Sequence, residues 1–169
     1  MTHHRARRGV SWARRDIHRP ADFTPAYTES SAHGEAVIEA SPRRVYAHLV
    51  DVLRWPGWVP QVRRTHVPGE IRVGAAFEIE MYGIRLDAVV SEYEPESRFG
   101  WIGSSPDLSV YQAWILLPLS PGTQVIARKV ERELNTAPVR DVQAEEIYYA
   151  HQDTLLRLKR LAEDGHPSA

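Results

Sequence analysis

Apolar residues first recur at helical spacing at Val45, Leu49 and Val52, with Tyr46 and Leu53 beside them. A helix with one buried face requires that pattern. Its start is marked by Ser41 before Pro42, a side chain that can cap free N–H groups followed by a residue whose missing N–H costs nothing at the first helical position. Its end is marked by Trp55-Pro56-Gly57-Trp58-Val59-Pro60, where two prolines and a glycine break the period. Ahead of the helix, Gly34–Ala40 reads as a short strand. Beyond the tryptophan elbow the pattern changes to alternation, the mark of half-buried antiparallel strands. Val62–Val67, Ala75–Tyr82, Ile84–Glu94, Arg98–Gly103, Leu108–Leu119 and Gln124–Leu134 are the expected strands, with turns at Gly83 and at Pro121-Gly122-Thr123. With the first, they make about seven.

Asn135-Thr136-Ala137-Pro138 stops the last strand and supplies a cap for a new helix, expected from about Val139 to Glu163. At roughly 25 residues it would be about 37 Å long, enough to cross a small domain. Its apolar stripe is Val142, Ile147, Leu155, Leu158 and Leu161, with Ala144 and Ala150 as small fillers. Gly165 and Pro167 end it, and Lys159 and Arg160 suit the negative end of its dipole. A straight rod laid on a bent sheet leaves a space, and such pockets are mostly apolar with a few placed polar groups. His151 interrupts the stripe four residues after Ile147, Thr154 borders it, and Tyr148 lies three residues before. A histidine there either satisfies itself with one hydrogen bond or meets a ligand, since its ordinary pKa of about 6.5 allows both charge states.

Strand alternation groups the other candidates. Val110, Gln112 and Leu116 share the side of Trp114, and Phe99 shares that of Trp101. In the fourth strand Ile84, Leu86, Ala88 and Val90 form the more apolar face, opposite Arg85, Asp87, Val89, Ser91 and Tyr93. Glu78, Glu80, Arg85 and Asp87 flank the Gly83 hairpin, and Arg128, Lys129, Glu131, Arg132 and Glu133 crowd the last strand. Cross-strand ion pairs on a solvated face are the expectation for both groups. One buried Arg or Glu among them would be a catalytic candidate.

Composition adds boundaries. The 169 residues, 43% hydrophobic and 25% charged, fit a single domain. Zero cysteines exclude a disulfide framework, and no apolar run approaches the roughly 20 residues of a membrane span. The expected location is cytoplasmic. A net charge of −1 gives no reason to expect nucleic acid. Met1–Ala32 departs from that neutrality, with six arginines against Asp16, Asp22 and Glu29. It reads as a basic arm ahead of a domain at 33–164, with 165–169 as a tail. Trp12, Ile17, Phe23 and Tyr27 could dock the arm on its own domain or on a second subunit, which leaves room for a homodimer. No metal or other cofactor is expected. His3-His4 is a terminal pair, and His-x-x-x-His, Gly-x-Ser-x-Gly and phosphate-binding glycine signatures are missing.

A strand ending in A-S-P, a helix reading VYAHLVDVLRW, the W-P-G-W elbow, and then V-G-A-A-F, V-S-E-Y-E-P, F-G-W and P-G-T-Q-V resemble, in that order, the START-like or helix-grip (SRPBCC) superfamily. That superfamily includes polyketide cyclases, lipid-transfer proteins and plant pathogenesis-related proteins, and the resemblance runs from His33 to Glu163. It implies an α+β fold: a curved antiparallel sheet of about seven strands wrapped around a long C-terminal helix. Short helices would lie between strands 1 and 2, and an internal ligand cavity would have the elbow at its rim. By the match, Val62 and Tyr93 stand where aromatase/cyclases carry a tyrosine and an arginine, Trp114 keeps a pocket tryptophan, and Thr154 falls near a helix asparagine. The match also turns Tyr93 and its alternate neighbours inward, against the apolar pattern of that strand. The expected ligand contacts are Trp55, Trp58, Val62, Ser91, Trp101, Gln112, Trp114, Ile147, Tyr148, Thr154 and Leu158.

The function so implied is a polyketide cyclase/dehydratase-type enzyme, acting without a cofactor on an apolar or polyketide-like substrate by orientation and acid–base help. Tyr93 would donate a proton and His151 would serve as base. The alternative is a non-catalytic carrier of a hydrophobic or aromatic small molecule such as a lipid, quinone or aromatic metabolite. Its aromatic wall of Trp55, Trp58, Trp101 and Trp114 would then matter more than any proton-transferring group. An interaction module using the basic arm is the third reading. One fold hosts all three.

Overall fold

The computed structural model of the chain describes residues 28–133 and 144–164. Its strands are β1 (Thr28–Ile38), β2 (Val62–His66), β3 (Ala76–Met81), β4 (Ile84–Glu94), β5 (Arg98–Ser104), β6 (Leu108–Leu119) and β7 (Gly122–Glu133). All pair antiparallel in one sheet of order β1-β7-β6-β5-β4-β3-β2. The crossing from β1 to the far edge is made by α1 (Pro42–Val50) and a short 3-10 helix (Val52–Gly57), and α2 (Ala144–Asp164) follows β7. This is the helix-grip architecture, α+β, with a curved seven-stranded sheet and a C-terminal helix. Asn135, Thr136, Pro138 and Val142, expected near the start of α2, lie outside the described residues, as do the arm up to Tyr27 and the tail from Gly165.

The start of α1 follows its local chemistry. Ser41 Oγ accepts from the Arg44 N–H at 3.3 Å, and Pro42 is the first helical residue. Val45, Tyr46 and Leu49 face the core with Val52, while Leu53 points outward at 63% exposure. β1 starts at Thr28 rather than at Gly34. Its register on β7 is continuous from Thr28↔Glu133 to Ile38↔Thr123, so cross-strand pairing makes a strand of residues whose own composition favours irregular structure.

In β4, Leu86, Ala88 and Val90 are buried and Arg85, Asp87 and Val89 are exposed. The expectation that Arg85, Asp87 and Val89 share the inward side of Tyr93 is therefore overturned. Pairing shifts between Val90↔Trp101 and Glu92↔Gly100. Ser91 is the extra residue of a bulge, and a bulge inverts the alternation beyond it. Tyr93 then pairs with Phe99 and packs against the core cluster.

α2 lies along the edge strand β1. Gln152 Nε2 donates to the His33 carbonyl at 3.0 Å, and Lys159 Nζ donates to that of Val37 at 2.8 Å. Just beyond the strand, the Glu39 N–H donates to Glu163 Oε1 at 2.9 Å. These are odd-numbered residues, whose backbone groups point away from β7. The helix thus supplies partners to an edge that would otherwise template foreign strands. Gly34 permits the close approach, because a Cβ there would collide with Leu155 and Gln152.

Candidate functional site

The register of the sheet builds the site. Lys129 lies opposite Gln112, Gln112 opposite Trp101, and Trp101 opposite Val90, which sets one line of inward side chains across β7, β6, β5 and β4. The neighbouring line reads Ala127, Trp114, Phe99 and Tyr93. Directly opposed side chains are in contact range, with Cβ atoms about 5 Å apart. α2 contributes His151 and Thr154 to this space, and the segment between the 3-10 helix and β2 contributes Val59 and Gln61. With Trp55, Val62, Met81, Trp101, Gln112, Trp114 and Lys129 they line an internal cavity whose free volume is about 20 Å³. That is room for roughly one water-sized group.

The cavity is small because aromatic rings fill it. Trp55 stands within 5.7 Å of Phe77, 5.8 Å of Trp101, 6.2 Å of Phe99 and 6.3 Å of Trp114, measured between ring centroids. Its Nε1 donates to the Leu49 carbonyl at 3.0 Å, which ties the ring to the end of α1. The elbow, expected at the rim, instead drives Trp55 into the middle of the aromatic cluster, where it is 2% exposed.

His151 Nε2 lies 3.3 Å from the Ala127 carbonyl oxygen. A carbonyl only accepts, so the neutral ring carries its proton on Nε2 and leaves Nδ1 as an acceptor. Burial drives the pKa down to about 4; the Ala127 bond opposes the shift, and Lys129 adds to it. The ring is neutral at pH 7. Gln112 Nε2 donates to the Arg128 carbonyl at 3.2 Å. The Thr154 hydroxyl lies 2.9 Å from the Ala150 carbonyl and 3.3 Å from Gln61 Oε1, bridging α2 and the segment before β2.

Lys129 and Glu131 overturn the expectation of a solvated charge cluster. They lie on the same face of β7 as Val125 and Ala127, are 5% and 2% exposed, and pair at 2.9 Å. Lys129 Nζ also donates to the Tyr82 hydroxyl at 3.2 Å and sits 5.2 Å from that ring's centroid. Burial by itself would lower the Lys129 pKa, but the Glu131 carboxylate and Tyr82 outweigh it and hold the ammonium above its ordinary value. Tyr82 stands in the β3–β4 turn with Gly83, both at positive φ, 54° and 74°, as in the two-residue hairpin turn that suits strand twist. The signal for Lys129 was present in the sequence: continuing the inward alternation of Val125 and Ala127 lands on 129 and 131.

Of the residues singled out from the sequence, Trp55, Val62, Trp101, Gln112, Trp114, His151 and Thr154 meet at the cavity. Trp58 and Leu158 are buried in the core cluster without lining the cavity, and Ile147 is buried on α2. Tyr148 faces outward at 47% exposure, and Ser91 occupies the β4 bulge. Tyr93 packs edge-on against Tyr46 at 5.9 Å and does not line the cavity, so the structure does not gather it with His151. Gln61, Val59 and Met81 are lining residues not singled out beforehand, and Lys129 lines the cavity without having been among the expected ligand contacts. Among the described residues no cluster of three or more His, Cys, Asp or Glu is arranged to hold a metal, and no helix is long and apolar enough to cross a membrane.

A sheet gripping a long helix around an inner cavity defines a ligand-binding protein of the SRPBCC class. Residues 30–163 match the family described as polyketide cyclase / dehydrase and lipid transport, and the chain belongs to that family. Among solved structures, hypothetical protein jhp0584 from Helicobacter pylori is similar with a TM-score of 0.72 at 20% identity, over 86% of this chain and 95% of that one. TTHA0849 from Thermus thermophilus is similar with a TM-score of 0.64 at 18% identity, over 81% and 99%. The di-domain ARO/CYC StfQ from the steffimycin biosynthetic pathway is similar with a TM-score of 0.63 at 13% identity, over 80% of this chain and 52% of StfQ. At these identities the likeness concerns the fold. No curated protein matches the sequence.

Proposed function

We propose that the protein binds a hydrophobic, ring-bearing small molecule of aromatic or polyketide type between α2 and the sheet, and that binding rather than turnover is its primary activity. The observation that carries this reading is the make-up of the cavity: tryptophan walls from Trp55, Trp101 and Trp114 around a short polar strip, the composition of small-molecule sites. The candidate base argues against turnover. With a pKa of about 4, His151 is a weak proton acceptor at neutral pH, far from the match that general base catalysis favours. Native mass spectrometry of the protein isolated from its own producer tests the reading. A retained aromatic or polyketide-like molecule is the expected result; no retained ligand, together with no affinity for a panel of such compounds, overturns it.

One observation favours cofactor-free cyclisation or dehydration as a second reading. The Lys129 ammonium lines the same cavity as His151, and a fixed cation beside a developing enolate lowers the barrier to aldol closure. On that reading, closure of a poly-β-ketone is abolished in His151→Ala and Lys129→Met while Tyr93→Phe remains active. Turnover absent from the unaltered protein, or unchanged in both cavity variants, sinks it.

A further inference from the structure

Trp101 is 2% exposed and lines the cavity, yet its Nε1–H has no hydrogen-bond partner among the described residues. Buried indole N–H groups ordinarily find one, because an unpaired buried donor is destabilising. The ring is firmly placed. Its benzo edge lies over Gly103, where an added Cβ would come within 2.9 Å of Cζ3, and the Nε1 edge is the opposite side of the indole. Its line neighbours already have partners: Gln112 Nε2 holds the Arg128 carbonyl, and Lys129 Nζ holds Glu131 and Tyr82. The free space of about 20 Å³ beside them is the size of a single oxygen-centred group.

Resting on the binding reading above, we propose that Trp101 is the specificity-determining residue of the cavity, donating its N–H to a carbonyl oxygen of a neutral ring ketone or quinone. Gln112 Oε1 and His151 Nδ1 are acceptors on residues lining the same cavity and suit the hydroxyl hydrogen of a hydroxylated ring ketone; an unsubstituted quinone engages Trp101 alone. Neutrality follows from the Lys129–Glu131 pair, whose charges already balance. A carboxylate brought in would be desolvated beside Glu131, with no unmatched cation among the cavity-lining residues to meet it. The ligand's rings displace side chains that now fill the aromatic cluster, while its oxygen takes the space already open.

The test uses two probes with one carbon frame, 2-methyl-1,4-naphthoquinone and 2-methylnaphthalene, titrated calorimetrically into the unaltered protein and Trp101→Phe. The unaltered protein should prefer the quinone by about tenfold, the scale of one buried hydrogen bond. The variant should lose that preference and keep its affinity for the hydrocarbon. A preference that survives in the variant, or is missing from the unaltered protein, overturns the role of Trp101 and leaves the binding reading standing. Binding of neither probe overturns the inference, and the retained-ligand measurement then decides separately whether the binding reading falls. If the variant does not fold, the Trp101 indole N–H resonance of the unaltered protein decides, assigned by tracing the indole ring protons from the Cζ3 edge that meets Gly103. A downfield shift with the quinone and not with the hydrocarbon supports the inference; equal or no shifts overturn it.

Discussion

His151 shows how a single side chain can look like chemistry in the sequence and act first as structure. Unfolded, its ring takes up a proton near the ordinary 6.5; folded, near 4, with burial as the main cause. Between those values the unfolded chain binds more protons, so stability rises with pH. The contribution is complete above pH 6.5 and is lost as pH falls through the folded value, about 3 kcal/mol over the whole span. Urea unfolding from pH 7 to pH 4.5 should show this fall, and His151→Leu should flatten it. Lys129 and Glu131 make the complementary case, since each offsets the charge that the other brings into the interior. Glu131→Gln strands a buried ammonium and should cost about 3–5 kcal/mol, with the double change Glu131→Gln/Lys129→Met costing clearly less. Denaturant titration of the two variants measures the difference. Sequence reasoning placed His151 on the inward stripe of its helix. It read the Lys129 charge as solvated, because surface ion pairs are the commoner origin of such clusters.

Elements were legible where local chemistry decides them. Ser41-Pro42 marks the start of α1 without reference to anything distant. From Val62 to Glu133 the strands follow their expected runs, with register shifts at Val62/Arg64 in β2 and at Val90/Glu92 in β4. The β4 bulge at Ser91 could not be read from alternation, because it depends on what β5 offers opposite it: Trp101, Gly100 and Phe99 in succession. For the same reason the apolar pattern and the resemblance disagreed about this strand, and each holds on one side of the bulge. The early start of β1 was also hidden, since β7 and not its own apolar content makes residues 28–33 extended. Contact between α2 and β1 is sensitive to a small change. Gly34→Val would push a branched side chain into Leu155 and Gln152 and lift the helix that carries His151. A loss of about 1–3 kcal/mol is expected, the ordinary scale of overpacking, and it is checked by thermal unfolding alongside the position-neutral control Gly69→Ala, where an added Cβ meets nothing.

On the scale of the whole molecule, the sheet, α1, the 3-10 helix and α2 enclose one main core cluster, and the cavity is the incompletely filled part of it. Ligand binding and fold stability are therefore coupled. A ligand held only by the folded state at a hundredfold excess over its Kd should add about 2.7 kcal/mol. Thermal unfolding followed with and without 2-methyl-1,4-naphthoquinone should show a midpoint that climbs with ligand concentration; a midpoint indifferent to any ring-bearing ligand contradicts the proposed function.

By itself the sequence determined the strand and helix order after β1, the cap of α1, the turn at Gly83, the shared side of Gln112 and Trp114, and the place of His151 on the inward stripe of its helix. These follow from periodicity and short-range stereochemistry, which act over a few residues and are written in the residues themselves. The tertiary structure alone decided the bulge that divides β4, the burial of the Lys129–Glu131 pair, the separation of Tyr93 from His151, and the insertion of Trp55 among four other rings. Each depends on which distant segment lies opposite, and on how much room a curved sheet leaves beneath a straight helix. The indole N–H of Trp101 became a candidate contact only when the neighbouring donors and acceptors could be matched with their partners.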